Sequence, residues 1–328
     1  MRIATLSEAM PGRPNEDTCG AYSDGEMISF FVADGAGQRM KTTQTAALFE
    51  RFGPGTSAAR FAALVMRSVF EQSLRDDPAD VLLDANATLH DWMCTVYGEL
   101  TAEALHDHEP QLAPYIDEDP RLFRMALACC VATAVRIDLR TRRMDYAHAG
   151  DTALYLFHDD GRVTNPTGDQ MGDHDAQALK LAQHIQAQRG AAHLADVLDD
   201  QRVLEANWRN GLYHNYVDVH GHTDQSVGVG IINGLPQLEA YMQRDTLELD
   251  GICGVLVCSD GFPLPGPLDE PDEAKAARYQ LMRERIQRDG LTGYYEALRT
   301  IEREDSGRDA YPRFKIHDDC TAVYVELA

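Results

Sequence analysis

Apolar residues along the chain fall into two patterns. Met27 to Ala33 (MISFFVA), Cys129 to Asp138, Met144 to His148, Thr152 to His158, Ile252 to Cys258 and Thr321 to Leu327 (TAVYVEL) are short apolar or alternating runs. They are bounded by Gly, Asp or other charged residues and read as strands, with weaker candidates at Cys19 to Ser23 and Thr246 to Leu249. Leu139 to Arg143 joins the first two of three consecutive strands, Asp159-Asp160-Gly161 marks a hairpin turn, and Asp34-Gly35 reads as the turn that ends MISFFVA. From about Thr42 to Asp107 the chain is rich in Ala, Leu, Glu and Arg, broken at Gly53-Pro54-Gly55, which predicts two or three amphipathic helices. Further helices are expected over Asp173–Arg189, Asp272–Arg288 and Leu291–Glu304. The stretch from about Asn165 to Gly230 is rich in Gln, His and Asn, with a loop-like tract from Asn207 to Gln225.

Strands at both ends with helical blocks between them predict an α+β sandwich, because each sheet must bury its apolar face. The last strand would complete a sheet begun near residue 1, which favours one domain over 1–328 with a flap-like insertion at about 165–245. With 328 residues and 44% apolar content, the chain can bury a large core.

A formal net charge of −23 argues against nucleic acid or an anionic membrane surface as the partner, since both need local positive charge. Met1 to Met10 has no basic stretch followed by an apolar one, so no secretory signal is expected, and no run of 18 apolar residues suggests a membrane span. The seven cysteines are odd in number and scattered, with no C-x-x-C pair, so reduced thiols and a cytoplasmic location are expected.

The aspartates carry the chemistry. Asp34 follows FFVA, Asp260 follows VLVCS, Asp318 precedes TAVYV, and Glu16-Asp17 precedes the Cys19–Ser23 strand. Taken singly, each has a plain reading: Asp-Gly after a strand is a common turn, and an acid pair before a strand can protect an edge. Together, acids at strand ends can be aimed at one point. Two such charges 4 Å apart repel by about 4 kcal/mol at an effective dielectric near 20, a cost that a divalent cation removes. Oxygen-only donors suit magnesium or manganese.

At these residues the sequence resembles the PPM family, the type 2C metal-dependent protein serine/threonine phosphatases. The matching segments are RPNED (13–17), FVADGAG (31–37), AHAGDTALYL (147–156), LVCSDGF (256–262) and DDCTAVYV (318–325), in family order across nearly the whole chain. The resemblance implies a four-layer α-β-β-α sandwich of two packed, mainly antiparallel sheets flanked by helices. It also implies two Mn²⁺ or Mg²⁺ ions and direct hydrolysis of phosphoserine or phosphothreonine in a protein substrate by a metal-activated water. By analogy, a cognate Ser/Thr kinase would act in opposition. Asp34 then corresponds to the acid bridging both metals, with Gly35 lending its carbonyl. Asp260 and Asp318 complete the first metal site, Glu16 the second, and Asp17 orients the attacking water. Asp151 matches a position that is mainly structural.

Four departures accompany the resemblance. The family's phosphate-gripping arginine, four residues before the glutamate, is Gly12 here; Arg13 takes its place as the bidentate phosphate ligand, with Arg39 and Lys41 as substitutes. Ala128-Cys129-Cys130 replaces the usual Gly-Ser/Thr-Thr, Met125 stands where a third-metal acid is often found, and Ala36 where some members carry histidine. The chain has no phosphate-binding G-x4-G-K-[ST] and no G-N-H-[DE] segment of calcineurin-like phosphoesterases, and His220-Gly-His222 lacks a third ligand at metal-binding spacing. The alternative to an enzyme is a phosphatase-fold binding or regulatory protein with weak or no activity.

Overall fold

The computed structural model describes residues 1–327. Its strands are β1 (Arg2–Glu8), β2 (Thr18–Ser23), β3 (Met27–Ala36), β4 (Cys129–Asp138), β5 (Arg143–Ala149), β6 (Ala153–His158), β7 (Val163–Thr164), β8 (Gln243–Glu248), β9 (Ile252–Cys258) and β10 (Cys320–Glu326). Its helices are α1 (Ala46–Glu50), α2 (Ala58–Gln72), α3 (Pro78–Tyr97), α4 (Ala102–His108), α5 (Ala113–Glu118), α6 (Gly172–Arg189), α7 (Gln201–Arg209), α8 (Leu238–Tyr241) and α9 (Asp272–Glu304). Two five-stranded antiparallel sheets form, β1-β10-β9-β6-β7 and β2-β3-β4-β5-β8.

The period-2 pattern of β3 explains the layers. Ile28, Phe30 and Val32 face the other sheet and pack with Val255, Val257, Val323 and Val325, whereas Phe31 and Ala33 face outward against Phe61 and Met66 of α2. On the opposite flank, Met282, Ile286, Tyr294 and Leu298 of α9 cover Tyr155, Phe157 and Leu256. The result is the four-layer α-β-β-α sandwich expected. The final strand pairs with the first, Arg2 opposite Glu326 through to Glu8 opposite Cys320. α9 is broken at Gly290 (φ 72°), which separates the two helices read from the sequence. Among the described residues no helix is long and apolar enough to cross a membrane, and all seven cysteines are free thiols.

Two local expectations are corrected, and one connection is made by the fold alone. Asp34-Gly35 is not a turn: β3 runs on to Ala36, because β4 supplies ladder partners for Asp34, Gly35 and Ala36 at Val131, Cys130 and Cys129. Asn207–Gln225 is not loop throughout: α7 extends to Arg209, started by Asp200 accepting from the Arg202 N–H at 2.9 Å and anchored by buried Val203. Consecutive β5 and β6 belong to different sheets. The chain crosses between them at Gly150 (φ 96°), where a Cβ would lie 2.1 Å from Val131 Cγ1, so only glycine fits the crossing.

Candidate active site

Each candidate acid sits where an element ends or is strongly held. Glu16 lies just before β2, Asp34 within β3, Asp260 just after β9 and Asp318 just before β10. Since β2 pairs with β3 and β9 with β10, the two sheets present their acids from facing layers. All four line one cavity of about 990 Å³, together with Arg13, Gly35, Arg39, Asp151, Asp169 and Asp175. Lys41 does not line it, and neither does Asp17. Asp17 is buried, 1% exposed, and neither of its carboxylate oxygens has a hydrogen-bond partner.

The acids oppose one another's ionisation. Asp34 is held well above the carboxylate range by burial first, then by the charges of Asp17, Asp260, Asp151 and Asp318. Burial, then Asp318, pushes Asp260 up to about 7. Burial likewise lifts Asp17 to about 7, with Asp260 and Asp319 adding to it. Asp151 is raised by burial and then by Asp260, Asp169 and Asp175, so it belongs to the same electrostatic cluster.

Three residues that sequence reasoning did not single out organise this site. Asp319, buried, accepts from the backbone N–H of Met10 and of Glu16, each at 2.7 Å, and so ties the start of β10 to the loop bearing Arg13 and Glu16. Ser57 caps α2 by accepting from the Arg60 N–H at 3.0 Å and donates its hydroxyl to Glu16. Lys315 donates to both oxygens of Asp318, at 2.8 and 2.7 Å. Only the Asp318-Asp319 doublet could have hinted at any of this, since neighbours entering a strand point to opposite faces.

Among the described residues, Arg13, Arg39 and Lys275 line the cavity without a carboxylate ion pair. Arg13 is exposed, on a loop shaped by Gly12 (φ 82°), and forms no ion pair. Arg39 is better anchored: its backbone and that of Met40 donate to the Met125 carbonyl at 3.1 and 3.0 Å, and Trp208 Nε1 donates to the Arg39 carbonyl at 3.1 Å. Its guanidinium reaches Asn207 Oδ1 at 3.4 Å and leaves a buried Nε unpartnered.

Among the described residues no three His, Cys, Asp or Glu side chains stand close enough to form a ready-made metal cage. The donor chemistry nonetheless fits hard divalent cations: oxygen ligands only, charges that raise one another's proton affinity, and orphaned oxygens on Asp17 beneath them.

The raised carboxylates set a pH dependence. Folded Asp17 and Asp260 hold a proton up to about pH 7, whereas ordinary aspartate releases it near 3.8. The native state therefore binds more protons over that interval, and stability falls as pH rises from about 4 to about 7. In chelator, the melting temperature should drop between pH 5 and pH 7.5, and saturating manganese should restore more at pH 7.5 than at pH 5. A flat or rising melting curve in chelator would exclude the repulsive cluster.

No curated protein sequence matches the chain significantly. Similar solved structures include RsbX in complex with magnesium (11% identity, 99% of this chain and 94% of that one, TM-score 0.47). Others are the Mycobacterium tuberculosis serine/threonine phosphatase PstP/Ppp (17%, 99% and 98%, 0.46) and the SiaA-PP2C domain of Pseudomonas aeruginosa (14%, 99% and 86%, 0.46). The family model described as protein phosphatase 2C matches residues 7–291, most of the length and all but the last of the acid-bearing segments. The chain belongs to the protein phosphatase 2C family.

Proposed function

We propose that this protein is a metal-dependent protein serine/threonine phosphatase that hydrolyses phosphoserine or phosphothreonine without a covalent phosphoenzyme. The observation that supports it most is the sharing of one cavity by Glu16, Asp34, Asp260 and Asp318. So many convergent acids are costly to keep without cations. When bound, two Mg²⁺ or Mn²⁺ ions would supply Lewis-acid activation of water and charge neutralisation at phosphorus. Asp34 would be common to both ions, Asp260 and Asp318 would hold one of them, and Glu16 with the Gly35 carbonyl the other. Asp17 would orient the attacking water.

Arg13 remains the candidate phosphate ligand because its guanidinium is free and on the cavity wall; Arg39 is the substitute, held more rigidly but farther under the 165–245 segment. We assign the chain to one phosphatase domain in which 165–245 acts as a flap. That segment contributes Asp169, Asp175, Leu179, Asn207 and His214 to the cavity wall and has its own apolar cluster of Leu179, Ile185, Leu194, Val197 and Val203. Deleting residues 205–225 should slow hydrolysis of phosphopeptides several-fold more than that of para-nitrophenyl phosphate; equal losses would remove the flap from substrate selection.

The rival reading, a phosphatase-fold binding or regulatory protein, draws on one observation: Lys315 engages both oxygens of Asp318. Manganese-dependent hydrolysis of para-nitrophenyl phosphate and of a phosphoserine peptide, silenced by chelator, separates the two. Inertness toward both at saturating manganese would favour the binding protein.

A further inference from the structure

Lys315 stands on a connection that is unusually well fastened. Arg313 donates to Asp305 Oδ2 and the Tyr311 carbonyl, each at 2.7 Å, to the Glu302 carbonyl at 2.9 Å and to the Ile316 carbonyl at 3.2 Å. Just beyond it, Arg299 Nη2 donates to the Asp318 carbonyl at 2.8 Å. The backbone on both sides of Lys315 is therefore fixed. Its side chain is not: it is 54% exposed, and only the ammonium is held, by both Asp318 oxygens. Asp260 and Asp34 are the further acids whose charge it feels.

An ammonium seated across both oxygens of a carboxylate takes up one lone pair on each and places a positive charge where a metal ion would approach. Lysine is a compact, strongly hydrated charge on a flexible four-carbon stem, suited to leaving such a position without moving the backbone. We propose that Lys315 is a built-in competitor for the cation held by Asp318, seated on that carboxylate in the metal-free protein and displaced when a divalent ion binds. The inference rests on the metal-dependent reading above. It gives the chain a metal threshold: the acid cluster is partly neutralised without metal, and the apparent affinity at the Asp318 site is lower than the acids alone would provide.

The size of the effect follows from the exposure of the pair. A half-exposed Lys–Asp contact is weak, and the displaced ammonium, still tethered nearby, repels the incoming ion modestly through water. Lys315→Met should therefore tighten manganese binding at one site by about three- to tenfold. Lys315→Arg should weaken it, because the guanidinium fork grips a carboxylate bidentately and leaves less readily.

Isothermal titration of manganese into metal-free wild type, K315M and K315R gives affinity and stoichiometry without reference to catalysis. Melting temperatures in chelator provide the second readout, with K315M expected below wild type and the gap closed by manganese. K315Q repeats the titration with a polar side chain should the methionine variant aggregate. Equal or weaker manganese binding by K315M, with wild type binding two ions, would overturn the competitor role and leave the metal-dependent reading intact. Absence of manganese binding in wild type and variants alike would overturn both.

Discussion

Asp34→Asn should lower manganese-dependent kcat/KM for para-nitrophenyl phosphate by on the order of a thousandfold or more, beyond the ten- to hundredfold typical of losing a group that only supports a metal ligand. The same variant should melt higher than wild type in chelator. Asp34 sits within β3, so its backbone is retained by the ladder to Val131 whatever its side chain. Its carboxyl is held well above the usual range, first by burial and then by Asp17, Asp260, Asp151 and Asp318. Replacing it with a neutral amide of the same shape removes the most crowded charge of the cluster, so the metal-free fold gains stability while a shared ligand is lost. Opposite movements of stability and activity are the signature of a group kept for function. Calorimetry should find the manganese stoichiometry reduced. Retention of activity within tenfold of wild type would remove Asp34 from the metal centre, and wild type and variant both inert at saturating manganese would favour the binding-protein reading.

The second large effect is structural. Gly261 follows Asp260, and a Cβ there would lie 2.0 Å from the Asp319 carbonyl oxygen, 3.0 Å from Asp318 Cβ and 3.1 Å from the Asp319 carbonyl carbon. The nearest of these is a backbone atom next to a paired strand, and no rotamer change moves it aside. Gly261→Ala must therefore push the loop after β9 away from the entry to β10, separating Asp260 from Asp318 and straining the Asp319 bonds to Met10 and Glu16. A destabilisation of about 3 kcal/mol or more is expected, at the upper end for overpacking. The control is Gly37→Ala, also on the cavity wall, where a Cβ meets nothing within 4 Å. Denaturant unfolding of the two variants should differ clearly; coincident curves would show that the β9–β10 junction is more compliant than its geometry implies.

These expectations trace back unevenly to the chain. β4 and β9 occupy the spans their apolar runs predicted, and the two halves of α9 divide at Gly290 as read. The reason is local: period-2 alternation, a long amphipathic run and a glycine are each expressed within a few residues. The acids, too, were legible as a set, because each adjoins an apolar run whose strand character is plain. Asp34 was misread as a turn residue because its hydrogen-bond partners come from β4, about a hundred residues on, and nothing near Asp34-Gly35 announces them.

The remaining features of the site are contacts between distant segments. Asp319 joined to the Met10–Glu16 loop and Ser57 joined to Glu16 depend on where β1, α2 and β10 come together. Asp17 illustrates the limit most clearly: adjacent to Glu16 in sequence, it is turned beneath the cavity while its neighbour lines the wall. By itself the sequence determined eight of the ten strands, the longer helices, an α+β sandwich and the set of acids, since those follow from periodicity and residue type, while the two-sheet layering came from the family resemblance. Only the tertiary structure decided that β5 and β6 part into different sheets, which side chains face the shared cavity, and which cation rests on Asp318. The first two are made by packing between segments far apart in sequence, whereas Lys315 and Asp318 are three residues apart and their pairing depends on a backbone path that residue type alone does not specify.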